Sequence, residues 1–171
     1  MFEFKQFVRE IPDWPKKGIG FKDITPLLQN PVAFKAAIDE LAKPFEDKGI
    51  DVVVGIDARG FILAAAIAYK LGAGLAIVRK KGKLPWRTIS RDYALEYASN
   101  TLEMHEDAVL PGQTVLLVDD VLATGGTMAA AVDMVKQLGG SISGLAFLTV
   151  LNFLKGEEKL GGFPVHTLIR Y

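Results

Sequence analysis

Two adjacent carboxylates, Asp119 and Asp120, lie just ahead of Thr124-Gly125-Gly126-Thr127. They come after the apolar run Val115-Leu116-Leu117-Val118, so the first charges appear where a buried strand would leave the core. Burying such a pair without partners is costly, because neighbouring like charges raise each other's pKa. A ligand with hydroxyls to donate, or a bound cation, would relieve that cost. The Thr-Gly-Gly-Thr run suits an anion. Glycines let the backbone approach closely, a helix N-terminus offers unpaired N–H groups, and threonine hydroxyls add donors. Carboxylates for sugar hydroxyls beside a cradle for phosphate describe a phosphorylated pentose better than a nucleoside triphosphate. The bland alternative makes Thr124 a helix N-cap and the aspartates a solvated strand end.

A second run, Gly55-Ile56-Asp57-Ala58-Arg59-Gly60-Phe61, places an arginine beside a glycine after another β-branched strand. An arginine there offers a planar fork of charged donors to a diphosphate, although loop arginines are common on any surface. The Walker pattern and Gly-x-Gly-x-x-Gly are both absent.

The elements that must position these residues alternate. Phe4, Phe7, Val8 and Ile11 recur at helical spacing and predict a short N-terminal helix. Pro12 to Pro15 ends it, and an irregular stretch runs to Thr25. Helices are predicted over 31–48, 60–71 and 126–138, with a short one at 155–160. Strands are predicted at 52–56, 74–79, 101–105, 114–118, 142–150 and 164–169. Lys80 to Asn100 is charged and without clear periodicity. This order predicts one α/β domain over 1–171 with a mainly parallel sheet covered on both faces. Ligands in such sheets bind at the carboxyl ends of the strands, where strand order reverses. Both loops fall at strand ends of that kind.

Composition narrows the class. Half of the 171 residues are apolar, and 20 Lys and Arg balance 20 Asp and Glu, so no basic surface for nucleic acid or membrane is expected. The chain has no cysteine, which excludes disulfides, cysteine nucleophiles and thiolate metal sites. Charges interrupt the apolar residues of the first ten positions, unlike a signal peptide, and a cytoplasmic protein is expected. His105 and His166, far apart in predicted strands, are expected to be structural.

The run Val115–Thr127 resembles the phosphoribosyl-diphosphate signature of the type I phosphoribosyltransferases. The resemblance implies that Asp119 and Asp120 contact the ribose hydroxyls. It also implies that Ala123, Thr124, Gly125, Gly126 and Thr127 hold the 5′-phosphate. The loop at Asp57, Ala58 and Arg59 is similar to that family's diphosphate loop, and Arg79, Lys80 and Lys83 to its basic loop entry. Residues 11–28 resemble the N-terminal signature of the adenine-specific members, in which the stretch matching Ile19, Gly20, Phe21 and Lys22 forms part of a hood over the base. The hood would span about 1–30 and a flexible lid loop about 80–100. Within the lid, Tyr93–Tyr97 matches the family's acid-bearing loop, which makes Glu96 the proton carrier. Trp86 and Ala98 stand where family members often carry glycine.

Base preference turns on one position. Hypoxanthine–guanine relatives usually carry an aspartate base immediately before Thr-Gly, and here the residue is Ala123. The resemblance therefore implies transfer of phosphoribosyl from phosphoribosyl diphosphate to adenine, giving AMP and diphosphate. Mg²⁺ would be bound through substrate rather than by protein side chains alone, and the enzyme would be a homodimer. The alternatives are a hypoxanthine–guanine or xanthine enzyme, and a non-catalytic regulator that senses a purine or phosphoribosyl diphosphate. The basic lid and Glu96 argue against the regulator.

Overall fold

The computed structural model describes residues 2–14, 16–18, 20–95 and 98–171. A 3-10 turn at Phe4–Phe7 leads into β1 (Arg9–Ile11), which pairs antiparallel with β2 (Phe21–Asp23) in the register Arg9↔Asp23 to Ile11↔Phe21. The predicted N-terminal helix is thus a single tight turn followed by a strand, and the stretch expected to be irregular contains its partner. Pairing with β2 satisfies the backbone of residues 9–11, which outweighs a four-residue apolar periodicity too short to hold a helix in water.

Asp23 ties the two-stranded unit to the helical layer. Its carboxylate accepts hydrogen bonds from the Thr25 backbone N–H and hydroxyl, both at 2.9 Å, and lies 3.5 Å from Arg9. The short helix α1 (Thr25–Gln29) starts there. Helix α2 (Pro31–Ala42) is capped by Asn30, whose side chain accepts from the N–H groups of Val32 and Ala33. It stops short of the predicted residue 48 because Pro44 cannot continue the α-helical ladder, and a 3-10 turn (Lys43–Phe45) takes over.

The main sheet holds β3 (Val52–Ile56), β4 (Gly74–Lys80), β5 (Thr88–Leu95), β6 (Ala98–His105), β7 (Thr114–Leu122), β8 (Ser141–Val150) and β9 (Val165–Arg170) in the order β5-β6-β4-β3-β7-β8-β9. Strands β4, β3, β7, β8 and β9 are parallel neighbours, and β5 and β6 run antiparallel at one edge. Helix α3 (Gly60–Leu71) joins β3 to β4, and α4 (Gly126–Gln137) joins β7 to β8. Val52, Val54 and Ile56 pack toward the α4 face, whereas Val53, Leu116 and Val118 pack toward α2 and α3. Both faces are covered, which is why β3 reads as a continuous apolar run.

Two further expectations change. The segment expected to be an aperiodic lid is largely an antiparallel hairpin, β5–β6, in register from Thr88↔His105 to Leu95↔Ala98. Ser90, Arg91 and Asp92 follow one another, all exposed, on a ribbon at the sheet edge, which breaks the apolar alternation. The short helix expected at 155–160 is a pair of 3-10 turns, Asn152–Leu154 and Gly156–Lys159, joined by Lys155 at φ 52°. Among the described residues, no helix is long and apolar enough to cross a membrane.

Candidate active site

The sheet sets the site. From the central pair β3 and β7, one crossover runs outward through α3 to β4, and the other runs the opposite way through α4 to β8. The carboxyl ends of β3 and β7 therefore flank the reversal of strand order, where neighbouring loops diverge and leave a crevice. Asp57–Gly60 comes after β3, and Ala123–Thr127 after β7, so the two loops singled out by residue type meet at one edge.

Asp119 and Asp120 do not end their strand, as expected, but lie inside β7, which continues to Leu122 with Asp119 opposite Phe147. Successive strand residues face opposite sides, so the two carboxylates leave the sheet in different directions. Asp119 lines a cleft with Val121, Ala123, Thr124, Gly125 and Thr127. The Asp120 side chain is only 9% exposed and faces Arg59, whose Nε lies 2.6 Å from its Oδ2. That contact is one of charge, without hydrogen-bond alignment. A solvated strand end does not describe this pair. Burial pushes the Asp119 carboxyl well above the usual carboxylate range, and the charge of Asp120 pushes it further. Burial also raises Asp120, but the Arg59 guanidinium opposes the shift. The site without ligand thus holds excess negative character that donors or a cation would offset.

The turn after β7 is built for close approach. Gly125 has φ 79° and precedes the first turn of α4, with no side chain capping the helix. Thr124 therefore does not act as the N-cap. The Ala129 N–H donates to Gly125 O, and the first N–H groups of the helix face the loop side.

Gly60 lets the end of the β3 loop lie directly against β7. A Cβ there would lie 2.7 Å from Asp119 Oδ1 and 3.1 Å from Val118 O, so any side chain would force this loop away from the strand. The Asp57–Ala58 peptide is cis. Arg59 bridges two elements, because its guanidinium contacts Asp120 and also sits 4.7 Å over the ring of Phe21. Phe21 is half-buried and meets Trp14 edge-on at 4.5 Å between centroids. The expectation for Phe21 therefore gains a location: the two-stranded unit carries an aromatic face to the crevice. Lys22 pairs with Glu10 at 2.7 Å and lies over the Tyr171 ring, pointing to structure rather than to the crevice. Gly20 is exposed, with Glu10 nearby.

Arg79 is aimed by Asp57, with Nε donating to Oδ2 at 3.2 Å, while its Nη1 donates to the Lys83 carbonyl. The turn Lys80–Lys83 carries Gly82 at φ 78°, and its three lysines are exposed. Glu96 and Ile19, like Pro15 and Tyr97, lie outside the described residues. His166 Nε2 bonds to the Glu40 carbonyl at 2.9 Å, a structural contact, and His105 meets Trp86 edge-on.

Two residues near the site are not evident from sequence. Glu103 is buried in β6 and accepts from the Gly82 N–H at 2.9 Å, fixing the basic turn. An acid between Leu102 and Met104, both buried, is the available signal. Gly156 lies directly behind Gly125, and no sequence pattern marks it.

Residues 23–158 match the model of the phosphoribosyl transferase domain. The chain belongs to the phosphoribosyltransferase family. An adenine phosphoribosyltransferase of Thermotoga sp. (strain RQ2) is 55% identical over 169 residues, covering 99% of each chain. The crystal structure of adenine phosphoribosyltransferase from Thermoanaerobacter pseudethanolicus superposes with a TM-score of 0.96 at 51% identity, over 99% of this chain and 98% of that one. The enzyme from Saccharomyces cerevisiae, complexed with D-2,5-dideoxy-2,5-imino-altritol 1,6-bisphosphate and adenine, matches at TM-score 0.91 and 39% identity over 96% of both chains. Full-length likeness at this identity places the chain among the adenine phosphoribosyltransferases, and its mainly parallel sheet flanked by helices is the type I phosphoribosyltransferase fold. The hypoxanthine–guanine, xanthine and regulator alternatives are not favoured.

Proposed function

We propose that this enzyme transfers the 5-phosphoribosyl group of 5-phospho-α-D-ribose 1-diphosphate to N9 of adenine, releasing diphosphate and AMP in purine salvage. The observation that carries the reading is the crevice itself. Asp119 lines it with the Thr-Gly-Gly-Thr turn, and the adjacent Asp120 holds an arginine that reaches to an aromatic face, both carboxyls having raised pKa.

Breaking the anomeric C–O bond builds positive charge on the ribose and negative charge on the departing diphosphate. Asp119 and Asp120 accept hydrogen bonds from the ribose hydroxyls and favour the cationic ring. Ala123 to Thr127 hold the 5′-phosphate on backbone N–H groups and threonine hydroxyls. The Asp57–Ala58–Arg59 turn, with Arg79, Lys80 and Lys83, receives the diphosphate; the ion pair of Arg79 with Asp57 supports its orientation there. Adenine stacks on Phe21 and is read by the backbone of residues 19–22. Arg59 then sits between base and sugar, moving from the ring face it now covers. Glu96 exchanges a proton with the purine as N9 attacks. The hood, about 1–30, and the lid, about 80–100, exclude water over a single domain of residues 1–171.

The donor set fits Mg²⁺, a hard cation that prefers oxygen ligands and retains substrate oxygens. The ion would be bound through substrate, at diphosphate and ribose oxygens, rather than by protein side chains alone. When bound, Mg²⁺ neutralises charge on diphosphate and ribose oxygens.

A homodimer is supported by the outer face of α3. Ile62 and Tyr69 (91% exposed) recur at helical spacing beside the apolar groove formed with Phe34 and Ile38. Sedimentation as a single 18.6 kDa species would remove this part of the reading. The balanced charge supports a cytoplasmic enzyme with small-molecule partners and no nucleic acid or membrane. Ultraviolet-monitored AMP formation from adenine, phosphoribosyl diphosphate and Mg²⁺ tests the function. Turnover is expected, and its absence in folded protein overturns the proposal.

A further inference from the structure

We propose that Gly156 is a positioning residue for the phosphate turn, setting affinity for phosphoribosyl diphosphate without touching it. The inference rests on the reading of residues 123–127 as the 5′-phosphate cradle. Gly125 and Gly156 stand back to back. A Cβ built on Gly125 would collide with Gly156 O and lie 3.1 Å from Gly156 C and 3.2 Å from its Cα. A Cβ on Gly156 would collide with Ala123 O and lie 3.0 Å from Gly125 N and 3.1 Å from Leu122 Cδ1. The clashing atoms are mostly backbone, which cannot rotate aside as a side-chain tip can, so a methyl on either glycine must move the turn itself.

The backing segment is anchored independently of the turn. Lys155, between the two 3-10 turns, takes a left-handed φ of 52° and delivers Gly156 to the start of the second. Arg170, at the end of β9, binds Asn152 Oδ1 at 3.0 Å and Glu157 Oε1 at 2.6 Å through Nη1. The Asn152 N–H donates to Tyr171 O, and the Leu151 N–H donates to Leu122 O. The edge strand β9 thereby holds residues 152–157 against the rear of the turn whose front lines the cleft. Positive φ accounts for glycine at 125; Gly156 lies in a 3-10 turn, and only the contact across the two backbones accounts for it.

The test is steady-state kinetics of Gly156→Ala, Gly125→Ala, the double variant and Arg170→Ala, each with its thermal midpoint. Gly156→Ala is expected to raise the KM for phosphoribosyl diphosphate by about tenfold or more, leaving the KM for adenine within about twofold and kcat less affected. The double variant should be no worse than about the larger single effect, because both methyls act on one contact. Arg170→Ala removes the anchor without crowding the turn, and should raise the same KM about two- to fivefold. This variant decides the matter where Gly156→Ala does not fold. If Gly125→Ala raises that KM while Gly156→Ala and Arg170→Ala do not, the positioning role is wrong and the cradle stands. If Gly125→Ala leaves that KM unchanged, the cradle reading fails instead. An equal rise in both KM values with a fall in thermal midpoint would mark Gly156 as merely structural.

Discussion

The carboxylate of Asp119 shows how function opposes stability at a single residue. Its pKa is raised in the folded state by burial and by Asp120. The folded protein therefore holds the proton more tightly than the unfolded chain does. The associated stabilisation is complete below the unfolded value near 3.8 and is lost as pH rises through the higher folded value. Above that window the raised pKa lowers the stability of the ligand-free enzyme. Asp119→Asn is expected to raise the thermal midpoint at pH 7–8, by about 2–4 °C for each kcal/mol relieved. The gain should shrink as pH falls toward 4, and AMP synthesis should drop by about a hundredfold or more through loss of the proposed ribose contact. Thermal scans across pH, paired with turnover, check both arms; a lower midpoint at neutral pH would contradict the electrostatic account. The adjacency of these acids and the glycine turn after them are readable from residue type alone, whereas the contact of Arg59 with both Asp120 and Phe21 is not. It joins residues from three separate elements, and no local spacing encodes such a meeting.

Among the elements, the legible ones have a strong period or an unambiguous stop. Helix α3 runs over the predicted 60–71 because Gly60 and Gly72 bracket an alanine-rich apolar run. Strand β3 matches its β-branched run residue for residue. The failures share a cause. In β1, β2 and β5, backbone pairing with a neighbouring strand decides the structure and half-exposed ribbons carry little apolar signal, whereas β6 contains the strand predicted at 101–105. Strand β7 runs four residues beyond its predicted end because its charged portion is stabilised by pairing with β8 rather than by apolar burial. The β1–β2 unit depends on Asp23, whose carboxyl is held below the usual range chiefly by the Thr25 backbone N–H. Asp23→Ala removes two hydrogen bonds and the Arg9 contact, and should destabilise the fold by about 1–2 kcal/mol in denaturant titration. Because the lowered pKa makes this contribution present above 3.8 and lost as pH falls through the folded value, the difference from wild type should narrow in acid. An unchanged difference at low pH would assign the effect to packing.

Over the whole molecule, the topology does what no single motif could. Reversal of strand order between β3 and β7 brings a loop near residue 58 beside one near residue 124, and the β1–β2 unit lays the Phe21 ring on Arg59 of the first. The alternation of strands and helices makes the parallel sheet and its active edge legible from sequence, and the likeness to adenine phosphoribosyltransferases agrees. The strand order itself depends on long-range pairing. The resemblance ties the proposed preference for adenine to Ala123, which stands where hypoxanthine–guanine relatives usually carry an aspartate base. A competition decides it, in which the enzyme, Mg²⁺ and limiting phosphoribosyl diphosphate meet equal concentrations of adenine, hypoxanthine and guanine, and the nucleotide products are separated. AMP is expected as the dominant product; IMP or GMP in excess of AMP would contradict the assignment.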